Sequence, residues 1–294
     1  MVVMLPQHDT DVSYPLGVTQ ARATVLHTER LADGRAVVLL DSTPCHPVDA
    51  AWPDQGPDRA KLLTDGAEIP VLDAVVAASN GSELFLGSDI PVRKGTEGWS
   101  FLVAHLVNGE SAPAEGSQLE VLVDADYRLA LSSGHSACHL VSLALNRAVA
   151  ERWNKEVRPD SLGAPDFDGS AIASSTITEY GSTDVYRLNK SLRRKGFDAE
   201  GLEQALPELN AAINQTVAQW LASGAEIRIN REGEGLTDRR YWSCELPEGT
   251  ASIPCGGTHL SSLSELGSVN VRLTLRESNG PELEMTTNCV KTQE

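Results

Sequence analysis

Positive charge is scarce in this chain of 294 residues: 24 Lys and Arg stand against 41 Asp and Glu, a formal net charge of −17. Contacts to nucleic-acid phosphate rest on Lys and Arg, so a generally basic binder is excluded and any nucleic-acid partner has to use a local basic patch. Cysteine is also rare. The five residues Cys45, Cys138, Cys244, Cys255 and Cys289 are odd in number and widely scattered. That excludes the disulfide framework of a small secreted domain and fits a reducing cytoplasm. No run approaches the ~20 apolar residues that cross a bilayer, so no membrane partner is expected. The opening run Met1-Val2-Val3-Met4-Leu5-Pro6 is apolar but short. It has no positively charged flank and no cleavage signal, so secretion is not expected. Internal repeats and low-complexity tracts are absent too, and nothing in the sequence fixes an oligomeric state.

With 41% hydrophobic residues the chain can bury a sizeable core, and its length favours two domains over one. From about Gly17 to Val123 short β-branched and aliphatic runs alternate with turn residues, as in Arg35-Ala36-Val37-Val38-Leu39-Leu40 followed by Asp41-Ser42-Thr43-Pro44. This pattern predicts a β-rich domain over residues 1–122. Pro44 to Asp58 is crowded with Pro, Asp and Gly and predicts a long loop or an extended wrap. After a boundary near Gly116-Ser117, Leu119 to Asp124 reads as a strand leading into a helix that starts around Asp126 or near Ser132 and Ser133. A second amphipathic helix is marked by Leu202, Leu206, Leu209, Ile213, Val217 and Leu221. Candidate strands follow at Ala225–Ile229, Tyr241–Leu246 and Ser268–Arg276. Strands with segregated helices make residues 123–294 an α+β domain.

Two pairs of metal-ligand residue types stand out, His135-Ser136-Ala137-Cys138-His139 and Cys255-Gly256-Gly257-Thr258-His259. On a helix, residues four apart lie on one face, so His135 and His139 can point at one ion. A lone pair of this kind is weak; two pairs offering one thiolate and three imidazoles form the N/S ligand set of Zn2+. The plainer reading of the second pair is a tight hairpin with a buried thiol.

His-Ser-Ala-Cys-His-Leu at 135–140 followed by Cys-Gly-Gly-Thr-His-Leu at 255–260 resembles the editing domain of alanyl-tRNA synthetase, which also occurs as free-standing AlaX-type proteins. The flanks agree: Val123-Asp124 precedes the first His at the family's spacing, and Ser264-Glu265-Leu266-Gly267 matches a run that follows the second pair. Thr43-Pro44-Cys45-His46-Pro47 and Asp54-Gln55-Gly56-Pro57-Asp58 resemble a degraded form of a motif in the family's β-barrel domain, without its run of glycines. Glu179-Tyr180-Gly181-Ser182 resembles a Gln-x-Gly-Ser segment near the pocket, with Glu179 in place of Gln.

The resemblance implies a β-barrel-like N-terminal domain followed by an α+β zinc-binding editing domain. It also implies hydrolysis, in trans, of the ester joining serine or glycine to alanine tRNA, with the acceptor end of the misacylated tRNA as partner. His135, His139 and Cys255 are then firm zinc ligands and His259 a more labile fourth. Glu179 and His46 become the catalytic candidates; His46 stands where the family motif has an aromatic and is a candidate lining of the pocket, and its plainer reading is an exposed loop residue. His105, in an apolar run, reads as a hydrogen-bonded core group, and Cys138 as packing. The densest basic cluster, Lys190, Arg193, Arg194 and Lys195, is the candidate tRNA contact, with Arg228, Arg231, Arg239 and Arg240 beyond it. Zinc can polarise the ester carbonyl, hold the amine or activate water, and all three roles stay open. So do two rival functions: hydrolysis of a small aminoacyl ester or amide, and a non-enzymatic binding protein in which zinc only staples two segments.

Overall fold

The structure is a computed structural model that describes residues 5–278 and 280–292. Met1 to Met4, on which the expectation against secretion partly rests, lie outside the described residues. The fold mixes helix and strand and is mostly sheet. Two compact units make it up: Met1–Arg128 with Arg231–Arg240 and Gly256–Thr258, and Leu129–Asn230 with Tyr241–Cys255 and His259–Glu294. Among the described residues no helix is long and apolar enough to cross a membrane.

The first unit is built on an eight-stranded sheet curled into a half-barrel. In spatial order its strands are Ala67–Val71, Ala60–Thr64, Gln118–Val123, Gln20–Arg30, Arg35–Leu40, Ser100–Asn108, Asp73–Ser79 and Leu84–Leu86. Every neighbouring pair is antiparallel. Successive side chains of a strand point to opposite faces, and here both faces of the central strands are covered. Ala36, Val38 and Leu40 join Leu62 and Val121 in one apolar cluster, whereas Val37 and Leu39 join Leu102 and Ala104 in another. This explains why Arg35 to Leu40 reads as a continuous apolar run instead of an alternating one.

Residues 44–58 contain no helix or strand, as their composition predicts. The loop is tied at both ends. Asp58 N donates to His46 O at 3.0 Å, and His46 N donates to the Asp58 carboxylate. Arg128 Nε donates to Asp58 Oδ1 at 2.7 Å, and its Nη2 donates to Pro44 O at 2.7 Å. Arg128 and Asp58 are only 4% and 3% exposed, so each charge depends on the other.

The second unit holds most of helix α1 (Ala125–Ala148), with the short α2 (Phe167–Ala171), α3 (Lys190–Lys195) and the long α4 (Leu202–Ala222). Its antiparallel sheet has the order Ile172–Thr178, Gly181–Arg187, Pro281–Lys291, Leu266–Glu277. A three-stranded sheet contains Ile227–Arg231, Arg240–Leu246 and Gly249–Pro254. Leu140, Val141 and Leu145 of α1 share one core with Trp220 of α4, Trp242, Leu283 and Met285. On α4, Asn214 accepts from Val271 N at 2.9 Å and donates to Val271 O at 2.9 Å, while Asn210 accepts from Leu273 N at 2.7 Å. Two asparagines one helical turn apart thus satisfy backbone groups on an edge strand, which would otherwise be open to pairing.

Both long helices match their sequence signals. The hairpin Ile172–Thr178 and Gly181–Arg187 was not foreseen, because its first strand, Ile-Ala-Ser-Ser-Thr-Ile-Thr, is polar and mostly accessible and carries little hydrophobic alternation.

Candidate metal centre

The four candidate ligands converge. His135 and His139 lie one turn apart on α1 with ring centroids 4.8 Å apart. Cys255 follows the strand Gly249–Pro254, and its Sγ is 3.4 Å from His135 Nε2 and 3.2 Å from His259 Nε2. One donor atom from each of the four lies within 4.8 Å of all the others. Ligands held at about 2.0–2.3 Å in a tetrahedral shell stand roughly 3.3–3.8 Å apart, a spacing that the two Cys255 separations approach and that the 4.8 Å limit of the whole cluster exceeds. The group could hold a metal ion.

The surroundings fit that use. His139 Nε2 is covered yet has no hydrogen-bond partner among the described residues, an unusual state for a buried polar atom unless something else takes its lone pair. Burial lowers the His139 pKa to about 3, so the imidazole is neutral and can donate that pair. Trp242, 0% exposed, walls the cluster, with its ring 5.2 Å from that of His139 and 6.4 Å from that of His259. Ser136 Oγ accepts from Leu260 N at 3.0 Å and lies 3.4 Å from His259 Nδ1. A proton on Nδ1 donated to Ser136 leaves the Nε2 lone pair toward Cys255, the usual way an outer group sets the tautomer of a ligand histidine. Beyond His259, one carboxylate oxygen of Glu265 accepts from Ser261 N, Ser261 Oγ and Ser262 N at 2.9, 2.8 and 3.1 Å. That is the physical content of the Ser264-Glu265-Leu266-Gly267 run.

Glu179 is exposed in the turn between Ile172–Thr178 and Gly181–Arg187. Its neighbour Tyr180 has φ 57°, a left-handed conformation that costs a residue with a Cβ on the order of 1 kcal/mol or more. Two bonds hold it there: Tyr180 N donates to Ala130 O at 2.9 Å, and Cys289 N donates to Tyr180 O at 2.8 Å. A Cβ on Gly134 would meet the carbonyls of Thr178 and Gly181 at 2.5 Å, so only glycine lets α1 and the turn come so close. The turn carrying Glu179 is therefore seated on the helix immediately before His135.

His46 is not the exposed loop residue that one reading allowed: it is 7% exposed, with its ring edge-on to Tyr14 at 4.9 Å. Its Nδ1 is covered without a hydrogen-bond partner among the described residues, and burial lowers its pKa to about 4. His105 is the core group its sequence context predicts, 0% exposed, with Thr43 Oγ1 3.0 Å from Nε2 and Val38 O 3.2 Å from Nδ1. Cys138 is buried as expected and has a further contact: its thiol donates to Asp184 at 3.5 Å, beside Ser175 and Ser182, which donate at 2.6 and 2.9 Å. Burial pushes the Cys138 thiol well above its ordinary pKa, so it is no thiolate nucleophile.

Lys190, Arg193, Arg194 and Lys195 are all exposed on α3. Three of the four further basic residues are engaged locally. Arg228 pairs with Glu226 at 2.7 Å and Arg231 with Glu234 at 3.4 Å, while Arg240 is buried and donates to Gly235 O at 2.5 Å. Ser136, Gln55, Asp58 and Arg128 were missed as organising residues. Gln55 and Asp58 did stand in a motif that resembles one of the family's β-barrel domain, but no role was attached to either.

No family model matches the chain. It is similar to alanine–tRNA ligase of Cereibacter sphaeroides, 30% identical over 239 residues that cover 78% of this chain and 23% of that protein. It is likewise similar to the alanine–tRNA ligase of Frankia alni, 28% identical over 239 residues, 80% of this chain and 22% of the relative. For that of Methanococcus maripaludis the figures are 25% over 235 residues, 78% and 24%. The chain spans less than a quarter of the length of these relatives. It is a homologue of that part of alanine–tRNA ligase, and it fits the alanyl-tRNA synthetase editing-domain family.

Proposed function

We propose that this chain is an aminoacyl-tRNA deacylase that hydrolyses the ester joining serine or glycine to alanine tRNA, with zinc held by His135, His139, Cys255 and His259. The observation that carries the reading is the convergence of those four donor atoms within 4.8 Å, in a chain whose homologues are alanine–tRNA ligases. When bound, zinc supplies a Lewis acid for the ester or the amine, or an acidified water. The protein's own groups do the rest. Ser136 keeps the His259 tautomer, and Trp242 keeps solvent from one side of the cluster. Glu179, held at the strained turn beside α1, is the carboxylate offered to the attacking water or to the amino group. His46 is a wall of the amino-acid pocket. The exposed Lys190, Arg193, Arg194 and Lys195 meet acceptor-stem phosphates.

The test is deacylation of serine and glycine charged on alanine tRNA, beside correctly charged alanine, with zinc assayed in the same preparation. Selective loss of the wrong amino acid at about one zinc per chain is expected. Zinc without deacylation would sink the substrate assignment. The net charge of −17 favours a second reading, a hydrolase of a small aminoacyl ester or amide. Salt separates the two, since activity on tRNA weakens steeply as salt rises and activity on a small ester does not.

A further inference from the structure

We propose that Gln55 is a positioning residue for the metal centre, holding the backbone of Thr258 so that the next residue, His259, is presented as a ligand. The inference rests on the metal-binding part of the proposed function and not on deacylation.

Two of the four ligands need no such help. His135 and His139 are placed by the hydrogen-bonded frame of α1. His259 sits on a segment without helix or strand, so its position depends on what ties its neighbours. Leu260 is tied through its N–H to Ser136 Oγ at 3.0 Å. Thr258 is tied by Gln55, whose Oε1 accepts from Thr258 N at 3.0 Å and whose Nε2 donates to Thr258 Oγ1 at 2.9 Å. Both partners belong to the first unit, and they are 1% and 2% exposed. A buried carboxamide that engages backbone and side chain of one residue fixes that residue's orientation as well as its place. The peptide bond from Thr258 carries the constraint to the backbone of His259, which the tie at Leu260 limits from the other side.

Gln55 is itself pre-set. It stands in the 44–58 loop three residues before Asp58, the carboxylate that Arg128 and His46 N anchor, and its own N–H donates to Asp54 Oδ1 at 2.8 Å. Outer groups that orient a metal ligand typically contribute 10–100-fold in metal affinity. The loss of the glycine run upstream of Gln55 leaves this tie in place, so the loop retains a role in metal binding whatever substrate the pocket takes.

The experiment is chelator competition on the full chain loaded with zinc, repeated with cobalt to read the ligand-field spectrum. Gln55→Ala is expected to lower metal affinity roughly 10–100-fold and to alter the cobalt spectrum, with far-UV circular dichroism unchanged. Thr258→Val, which removes one of the two bonds while keeping the shape of the side chain, should give a smaller loss. Gln55→Glu, whose carboxylate accepts from both the Thr258 N–H and O–H, should recover most of the affinity. Should Gln55→Ala not fold, Thr258→Val and Gln55→Glu decide the matter. Wild-type affinity and spectrum in Gln55→Ala, or in Thr258→Val where that is the deciding variant, would overturn the inference alone. A wild-type chain that binds no metal would overturn it together with the metal part of the proposed function. Coupled metal affinity without deacylation would leave it standing and remove only the substrate assignment.

Discussion

His105 in the first unit and His139 in the second both carry ring nitrogens shielded from water, yet the two regions finish them differently. On the central strand Ser100–Asn108, His105 finds a hydroxyl and a carbonyl within hydrogen-bond distance, and its polar capacity is used up inside the sheet. On α1, His139 faces Trp242, His135 and His259, and its Nε2 is left without a partner among the described residues. Burial depresses both pKa values, to about 4 and about 3. A buried imidazole is therefore no sign of function by itself. What distinguishes the second region is that the histidine with the unpartnered ring nitrogen belongs to a cluster of other metal-ligand side chains.

The largest effect that breaks this contrast is on metal content. His139→Ala should take bound zinc from about one per chain to almost none, measured by atomic absorption, whereas His105→Ala should keep the zinc. It should instead lose roughly 2–4 kcal/mol of stability to urea, since it leaves a cavity and strands Thr43 and Val38 O. Equal zinc loss in both would erase the distinction. Next comes the buried pair: Asp58→Ala should destabilise the fold by about 3–5 kcal/mol because it leaves the Arg128 charge buried and uncompensated. A midpoint shift in urea close to zero would contradict that.

A smaller effect separates the units by pH. His105 is neutral in the fold down to about pH 4 but protonates near 6.5 when unfolded, so its contribution is whole above 6.5 and is lost as pH falls toward 4. Asp168, beside Tyr186 in the second unit, goes the other way. Burial raises its pKa from 3.8 to about 7, so its folded form keeps a proton and its contribution falls as pH rises from 3.8 to about 7. Urea midpoints taken across that range should show Asp168→Asn abolishing the fall and leaving the histidine slope intact. The smallest effect concerns α3: Arg193→Ala with Arg194→Ala should reduce the salt slope of tRNA binding by about one unit each, with only a modest loss of affinity. An unchanged slope would remove α3 from the proposed interface.

Much of the centre was legible because it depends on local spacing. The His-xxx-His period is a property of any helix, and the apolar pattern of residues 140–149 supplies that helix. Glu265 was visible as part of a short run, although its work as a carboxylate collecting three donors was not. The long loop at 44–58 was evident from Pro, Asp and Gly. Its anchoring was hidden, because Asp58 and Arg128 are 70 residues apart and charged residues usually read as surface. Gln55 and Thr258, 203 residues apart, were hidden for the same reason. The expected barrel-like domain is a half-barrel, since a β-rich pattern is readable in the sequence but the closing register is set by pairing between distant segments.

The sequence by itself determined the ligand types, the helix that carries two of them, the β-rich character of the first unit and the scarcity of basic charge, all readable from composition or from patterns a few residues long. Only the tertiary structure decided that the four donors meet, that His105 is satisfied and His139 is not, that His46 is buried, and that Thr258 is held by Gln55. Each of these is a contact across tens to hundreds of residues, fixed by burial and by the need to pair every buried polar group, and no local pattern encodes it.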